Sequence, residues 1–196
     1  MNKSRLEAFS DGVMAIIITI MILELKIPEG TSWEVMKHLL PSFCSYILSF
    51  VFIGIYWANH HHLLHTVKKV NGAIIWANMH LLFWLSLVPF ATGWMGANNF
   101  DKVPVAAYGV LLLLCGLAFS ILAAAIKKTY THETNVTRAL AKANTKSFLS
   151  IVFYMASVPA AIYISPLLSA AFFVAVSIMW IIPSKAIEKA LAEKEE

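Results

Sequence analysis

Charged residues are scarce in this sequence, and their scarcity excludes the most common class of protein. Only 13% of the 196 residues are Asp, Glu, Lys or Arg, while 59% are hydrophobic. A soluble globular domain carries about 25% charged and roughly 45–50% apolar residues. The composition therefore predicts an integral membrane protein.

Cysteine is also scarce, and the common catalytic motifs are missing. Cys44 and Cys115 both lie in apolar segments, which is typical of small buried side chains and not of a disulfide framework. The sequence contains no H-E-x-x-H, no G-x-S-x-G and no paired acids on one helix face. We therefore expect no enzymatic activity, no cofactor and no metal site. The net charge of +4 is scattered over short hydrophilic gaps, so we expect no nucleic-acid partner.

Six apolar stretches predict an all-α membrane protein with six transmembrane helices. A spanning helix needs about 20 mostly apolar residues. The candidates are Leu6–Leu25, Ser42–His61, Ala73–Trp94, Val103–Ile126, Ser147–Ile164 and Pro166–Ile182. The last two are short and share a hinge at Ile164-Ser165-Pro166, which favours a helical hairpin over a re-entrant element. Residues 1–184 then form one domain, and residues 185–196 form a short charged tail.

The distribution of basic residues predicts the orientation of the helices. Of the 15 Lys and Arg residues, only Lys26, Lys37 and Lys102 fall on one side of the six predicted spans. The other twelve share the side of the N-terminus. Because cytoplasmic loops are enriched in Lys and Arg, both termini are expected in the cytoplasm.

The first predicted helix has two different faces. With 100° per residue, one narrow stripe holds Phe9, Gly12, Ile16, Ile20 and Leu23, with Thr19 beside it. Such a stripe can face lipid or a neighbouring helix. It can also form a hydrophobic constriction, in which aliphatic rings from several subunits gate a pore by dewetting.

Asp11 projects away from this stripe, toward whatever packs behind the first helix. An unpaired acid at that depth costs a few kcal/mol, so we expect a polar partner for it. The candidates are Arg5, a histidine, or Trp and Asn side chains of the second and third helices. The Trp and Asn candidates are Trp57, Asn59 and Asn78. The histidine candidates are His80 and the histidines at the end of the second helix.

Arg5, Phe9, Ser10 and Asp11 spell R-x-x-x-F-S-D at the start of the first helix, followed by Ala15-Ile16, Thr19 and Leu23. This pattern resembles the opening helix of the transmembrane protein 175 family, which comprises potassium channels of animal endosomes and lysosomes and of many prokaryotes. The resemblance implies the single-repeat prokaryotic form, a homotetramer in the plasma membrane whose pore is lined by the first helix of each subunit.

The resemblance also implies roles for particular residues. Ile16, Ile20 and Leu23 fall at the family's hydrophobic constriction, and Thr19 falls at a pore-facing threonine linked with cation preference. Arg5, Phe9, Ser10 and Asp11 belong to the motif that ties the first helix to its neighbours. The T-V-G-Y-G filter of ordinary potassium channels is missing here. Ala15 stands where some animal members carry serine, so we expect only modest selectivity for potassium over sodium.

A second hypothesis assigns the transport to polar groups. Asp11 and the histidines of the second helix, His60, His61, His62 and His65, could serve a proton-coupled or metal-ion transporter. His61 and His65 are one helical turn apart, but no acid or cysteine accompanies them, so a metal site is not expected. A transporter predicts saturable flux that depends on Asp11, whereas a channel predicts unitary currents.

Overall fold

Helices form every regular element in the part of the chain that the structure describes. The computed structural model describes residues 2–130, 132 and 135–181, without the side chains of residues 135, 136 and 138–144. In chain order the elements are α1 (Lys3–Leu23), α2 (Trp33–His65), α3 (Gly72–Ser86), α4 (Val88–Ala97), α5 (Lys102–Lys127), α6 (Asn135–Pro159), a π-helical turn (Ala160–Ile164) and α7 (Pro166–Ile181).

These helices supply the predicted membrane spans. Five stretches within the described residues are long and apolar enough to cross a bilayer, namely Lys3–Leu23, Trp33–His65, Gly72–Ala97, Lys102–Lys127 and Thr145–Ile164. The sixth apolar helix, Pro166–Ile181, has 16 residues, or about 24 Å, and is shorter than the roughly 30 Å hydrocarbon core. The expected all-α fold with six apolar segments is therefore confirmed.

The predicted hairpin between the last two segments is also confirmed. Backbone extended at Ser165 separates the π-helical turn from α7, which begins at Pro166. Proline suits the first position of a helix because its missing N–H would have no partner there. Helices α6 and α7 pack against each other. The predicted tail at 185–196 lies outside the described residues.

The observed helices differ from the predicted ones near two prolines. Helix α2 begins at Trp33 instead of Ser42 and carries Pro41 in its interior. A proline removes one backbone hydrogen bond, and here the helix continues through it. In the third span, α3 ends at Ser86 and α4 begins at Val88. Pro89 lacks the N–H that would bond the carbonyl of Leu85, so the helix is interrupted at this point.

Buried hydroxyl groups connect three helices in the interior. The Tyr108 hydroxyl of α5 lies 2.8 Å from Ser49 Oγ of α2, and the Thr92 hydroxyl of α4 lies 2.7 Å from the same Ser49 oxygen. Because a membrane interior offers no water, buried polar groups need partners within the protein. The Tyr108 ring also packs on Phe173 of α7, with 5.3 Å between ring centroids.

Close packing of α2 against α4 depends on Gly96. A Cβ atom at this position would lie only 2.6 Å from the Cα atom of Ser42, which is backbone and cannot yield easily. We expect Gly96→Ala to destabilise the protein by about 1–3 kcal/mol, the usual cost of overpacking. The matched control is Gly116→Ala, because the nearest atom to its added Cβ is 3.8 Å away. Thermal unfolding in detergent measures both variants, and equal midpoints would contradict the prediction.

Candidate functional site

Helix α1 packs on the rest of the chain through one face. Its buried residues recur every three or four positions and are Leu6, Ser10, Met14, Ile17 and Met21. This face contacts α2, α3 and α4. The spacing is that of a single side of an α-helix, and the opposite side is left without a partner among the described residues.

The aliphatic stripe predicted from the sequence lies on that opposite side. The exposed fraction is 57% for Ile16, 41% for Ile20 and 81% for Leu23. Phe9 is also exposed, and a Cβ at Gly12 would meet nothing within 4 Å. The structure thus groups the predicted constriction residues on one free surface of α1.

Thr19 lies beside this stripe and is exposed. Its Oγ1 donates a hydrogen bond to the carbonyl oxygen of Ile16 at 2.8 Å. A hydroxyl has one donor and two acceptor lone pairs. Since the donor is used within the helix, the oxygen presents only lone pairs to its surroundings, which is an arrangement suited to a cation.

Asp11 has a partner in α2. The indole Nε1 of Trp57 donates a hydrogen bond to Asp11 Oδ1 at 3.0 Å. Arg5 is exposed and forms no ion pair with any described residue, and by helical angle it lies on the side of Phe9. Of the partners considered for Asp11, the structure therefore brings Trp57 to it and not Arg5.

Ser10 belongs to a fully buried chain of polar side chains. Asn78 of α3 donates through Nδ2 to Ser10 Oγ at 2.9 Å, and its Oδ1 lies 2.7 Å from His60 Nε2 of α2. Ser10 in turn donates to the carbonyl oxygen of Leu6 at 2.9 Å. The chain joins α1, α3 and α2 beside the Asp11–Trp57 contact.

The other expected partners bond elsewhere. Asn59 donates to the carbonyl oxygen of Ile55 in its own helix at 2.8 Å, and His80 accepts from Trp84 Nε1 at 2.9 Å. The residue types and the helices that carry them could be predicted from the sequence, but the rotation of α2 and α3 decides which of these residues reach α1.

A further contact between α1 and α2 was not predicted from the sequence. Lys3 Nζ donates to the carbonyl oxygen of His65 at 3.0 Å and lies 3.8 Å from Glu7 Oε1. The Lys3–Glu7 spacing of four residues is that of an ion pair on one helix face, and this signal was available in the sequence. The contact fastens the start of α1 to the end of α2.

One histidine at the end of α2 is buried, and the other three have their rings close together. His60 is buried in the polar chain described above. The rings of His61 and His65 have centroids 4.7 Å apart, and those of His61 and His62 are 5.8 Å apart. Among the described residues, no group of three or more His, Cys, Asp or Glu side chains is placed to hold a metal ion.

Replacing Asn78 tests the buried chain. In Asn78→Leu, both Ser10 and His60 lose a partner, and each unsatisfied buried group costs about 1–3 kcal/mol. We expect a large drop in the thermal unfolding midpoint in detergent. Asn59→Leu is the matched control, since Asn59 bonds only the backbone of its own helix. A drop of the same size in both variants would contradict the assigned contacts.

The helices and their composition define an integral membrane protein. A sequence profile described as endosomal/lysosomal potassium channel TMEM175 matches residues 5–89. A protein of Chryseobacterium sp. (strain P1-3) named potassium channel is 50% identical over 193 residues, which are 98% of this chain and 100% of that protein. The chain belongs to the TMEM175 family of potassium channels.

Solved and animal relatives place this chain within that family. It is similar to the crystal structure of a lysosomal potassium-selective channel TMEM175 homologue from Chamaesiphon minutus, with a TM-score of 0.81 and 25% identity over 93% of this chain and 97% of the other. The human protein named endosomal/lysosomal proton channel TMEM175 is 32% identical over 103 residues, which are 46% of this chain and 20% of that protein. The expected family is confirmed, as is the expectation of a non-enzyme.

Proposed function

We propose that the chain forms a potassium-permeable cation channel, as a homotetramer in a prokaryotic plasma membrane. Relatives named potassium channels support this activity, including one that matches over almost the whole chain. In the proposed assembly the first helix of each subunit, α1, lines the pore. Residues 1–184 act as one transmembrane domain, with both termini and the tail at 185–196 in the cytoplasm. The only expected partners are other copies of the chain and lipid, and the only bound species are permeant ions.

The observation that carries the proposal is the division of α1 into two faces. Its polar motif residues Ser10 and Asp11 bond α3 and α2, so the opposite face is held outward in a fixed orientation. Four such faces around one axis would bring rings of Ile16, Ile20 and Leu23 together. Narrow aliphatic rings exclude water and gate by dewetting. Cations would shed part of their water there and pass when the rings dilate.

Selectivity is proposed to come from Thr19 and from the narrowness of the passage. A ring of Thr19 oxygens, each with its donor committed to Ile16, would offer acceptors to a cation between the aliphatic rings. Ala15 has no polar atom in its side chain and would add no second polar ring beside that of Thr19. With a single hydroxyl layer and no carbonyl-lined filter, the preference for potassium over sodium is modest.

Current recording on the purified protein tests the proposal. The protein is reconstituted in a planar bilayer with potassium on one side and sodium on the other. We expect unitary currents and a reversal potential that shows a modest preference for potassium. Saturable flux without unitary currents, lost on replacing Asp11, would favour the transporter and contradict the channel.

A further inference from the structure

We propose that an anionic phospholipid binds in a groove between α3 and α5, at the end of the molecule where α1 begins. This α3–α5 groove has a volume of about 830 Å³, within the roughly 300–1,000 Å³ of pockets that hold small ligands. The site is separate from the pore and does not depend on the proposed conduction.

Apolar side chains make up most of the wall of the α3–α5 groove, which also includes the His80 ring. Small side chains line both helices, Ala73 and Ala77 on α3 and Ala124 and Ala125 on α5. Trp76 stands at the same level with 76% of its surface exposed. Small residues open a slot between the helices, and tryptophan is enriched where a protein meets the headgroup region of a bilayer. This part of the groove suits an acyl chain.

The mouth of the groove is basic. Lys69, from the α2–α3 loop, and Lys128, from the end of α5, both line it, and none of its lining residues is acidic. Both lysines are exposed, and neither forms an ion pair within the described part of the chain. Basic pockets between transmembrane helices are sites for anionic lipid headgroups. Two ammonium groups that meet no counter-charge among the described residues therefore favour a lipid phosphate.

The backbone that carries these lysines is held together by Tyr130. The Tyr130 hydroxyl donates to the carbonyl oxygen of Thr66, which joins the end of α5 to the loop after α2. Lys68 Nζ also lies 5.0 Å from the centroid of the Tyr130 ring. Burial raises the pKa of Tyr130 above its usual value, so the hydroxyl stays protonated and donates throughout the physiological pH range. The two sides of the mouth are thus fixed relative to each other.

Lipid is the occupant that fits both halves of the groove. The apolar slot opens between two helices that span the membrane, and lysines follow where the apolar stretch of α5 ends at Lys127. A lipid places its chain in the slot and its phosphate at Lys69 and Lys128. A second copy of the chain would have to supply an acidic residue to the same mouth. A change in subunit number when the two lysines are replaced distinguishes this occupant from a lipid.

Native mass spectrometry of the purified assembly measures the binding, with phosphatidylglycerol and phosphatidylcholine as the two probes. We expect tighter binding of phosphatidylglycerol and a loss of about thirtyfold in Lys69→Gln/Lys128→Gln, as two lysines near a membrane surface contribute. The charge-keeping variant Lys69→Arg/Lys128→Arg should bind like the unmodified protein. Lys26→Gln/Lys102→Gln, which removes the same charge from exposed lysines away from the groove, is the matched control.

Three results would overturn the proposal. One is equal affinity for the two lipids, and another is equal loss in the two glutamine variants. The third is a changed subunit number in Lys69→Gln/Lys128→Gln with lipid binding intact, which would assign the groove to a neighbouring copy. Because no current is measured, failure of the proposed channel activity would leave this test unaffected.

Discussion

Replacing Ile16 with serine is expected to raise the single-channel conductance by about tenfold, equivalent to lowering the barrier by about 1.4 kcal/mol. In the proposed tetramer, four serine hydroxyls would hydrate one aliphatic ring and weaken the dewetted constriction. Serine at Ile20 or Leu23 should act in the same direction. Conductance is measured in planar bilayers under symmetrical potassium.

The control for Ile16 is an isoleucine of equal exposure on another helix. Ile178 of α7 is 58% exposed and Ile16 is 57% exposed, so exposure within the single chain does not distinguish them. If both face lipid, serine should affect both equally. We expect Ile178→Ser to leave the conductance unchanged, and an unchanged conductance in both variants would place the α1 stripe against lipid.

The second large effect is expected at Asp11, on stability and not on permeation. Asp11→Ala and Trp57→Phe should each lower the thermal unfolding midpoint, since each removes one partner of the 3.0 Å hydrogen bond between α1 and α2. A hydrogen bond to a charged group contributes about 1.5–3 kcal/mol. The double variant should therefore be less destabilised than the sum of the two single variants by about that amount.

Asp11→Asn separates the hydrogen bond from the charge. Asparagine keeps an acceptor oxygen for Trp57 but carries no charge, so this variant should be more stable than Asp11→Ala. The ratio of potassium to sodium permeability should be the same in all assembled variants. An intact assembly with an altered ratio would instead place Asp11 in the conduction path.

The number and position of the apolar helices could be predicted because hydrophobic length determines what crosses a bilayer. Their ends could not, since Pro41 permits the helix to continue while Pro89 accompanies an interruption at Leu87. The effect of a proline in a membrane helix depends on whether neighbouring helices and side chains satisfy the backbone groups that it frees. That information is tertiary and is not present in the local sequence.

The sequence predicts which residues of α1 share a face, but only some of the hydrogen-bond partners of these residues. A period of 3.6 residues separates Ile16, Ile20 and Leu23 from Ser10 on any straight helix, and the structure has them apart. The choice of Asn78 over Asn59 as the partner of Ser10 requires the relative rotation of α2 and α3. The pore role of the exposed face remains a prediction, because periodicity alone would equally assign that face to lipid.

The length of α2 has a mechanical consequence. Its 33 residues measure about 50 Å, and a tilt of about 53° would be needed to fit them within a hydrocarbon core of about 30 Å. Membrane helices tilt by at most about 40°, so part of α2 extends beyond the hydrocarbon core into the headgroup region. The same helix carries Trp57 and His60, which form hydrogen bonds to α1 and α3. We therefore expect a displacement of α2 at the membrane surface to reach α1 through the Trp57–Asp11 hydrogen bond.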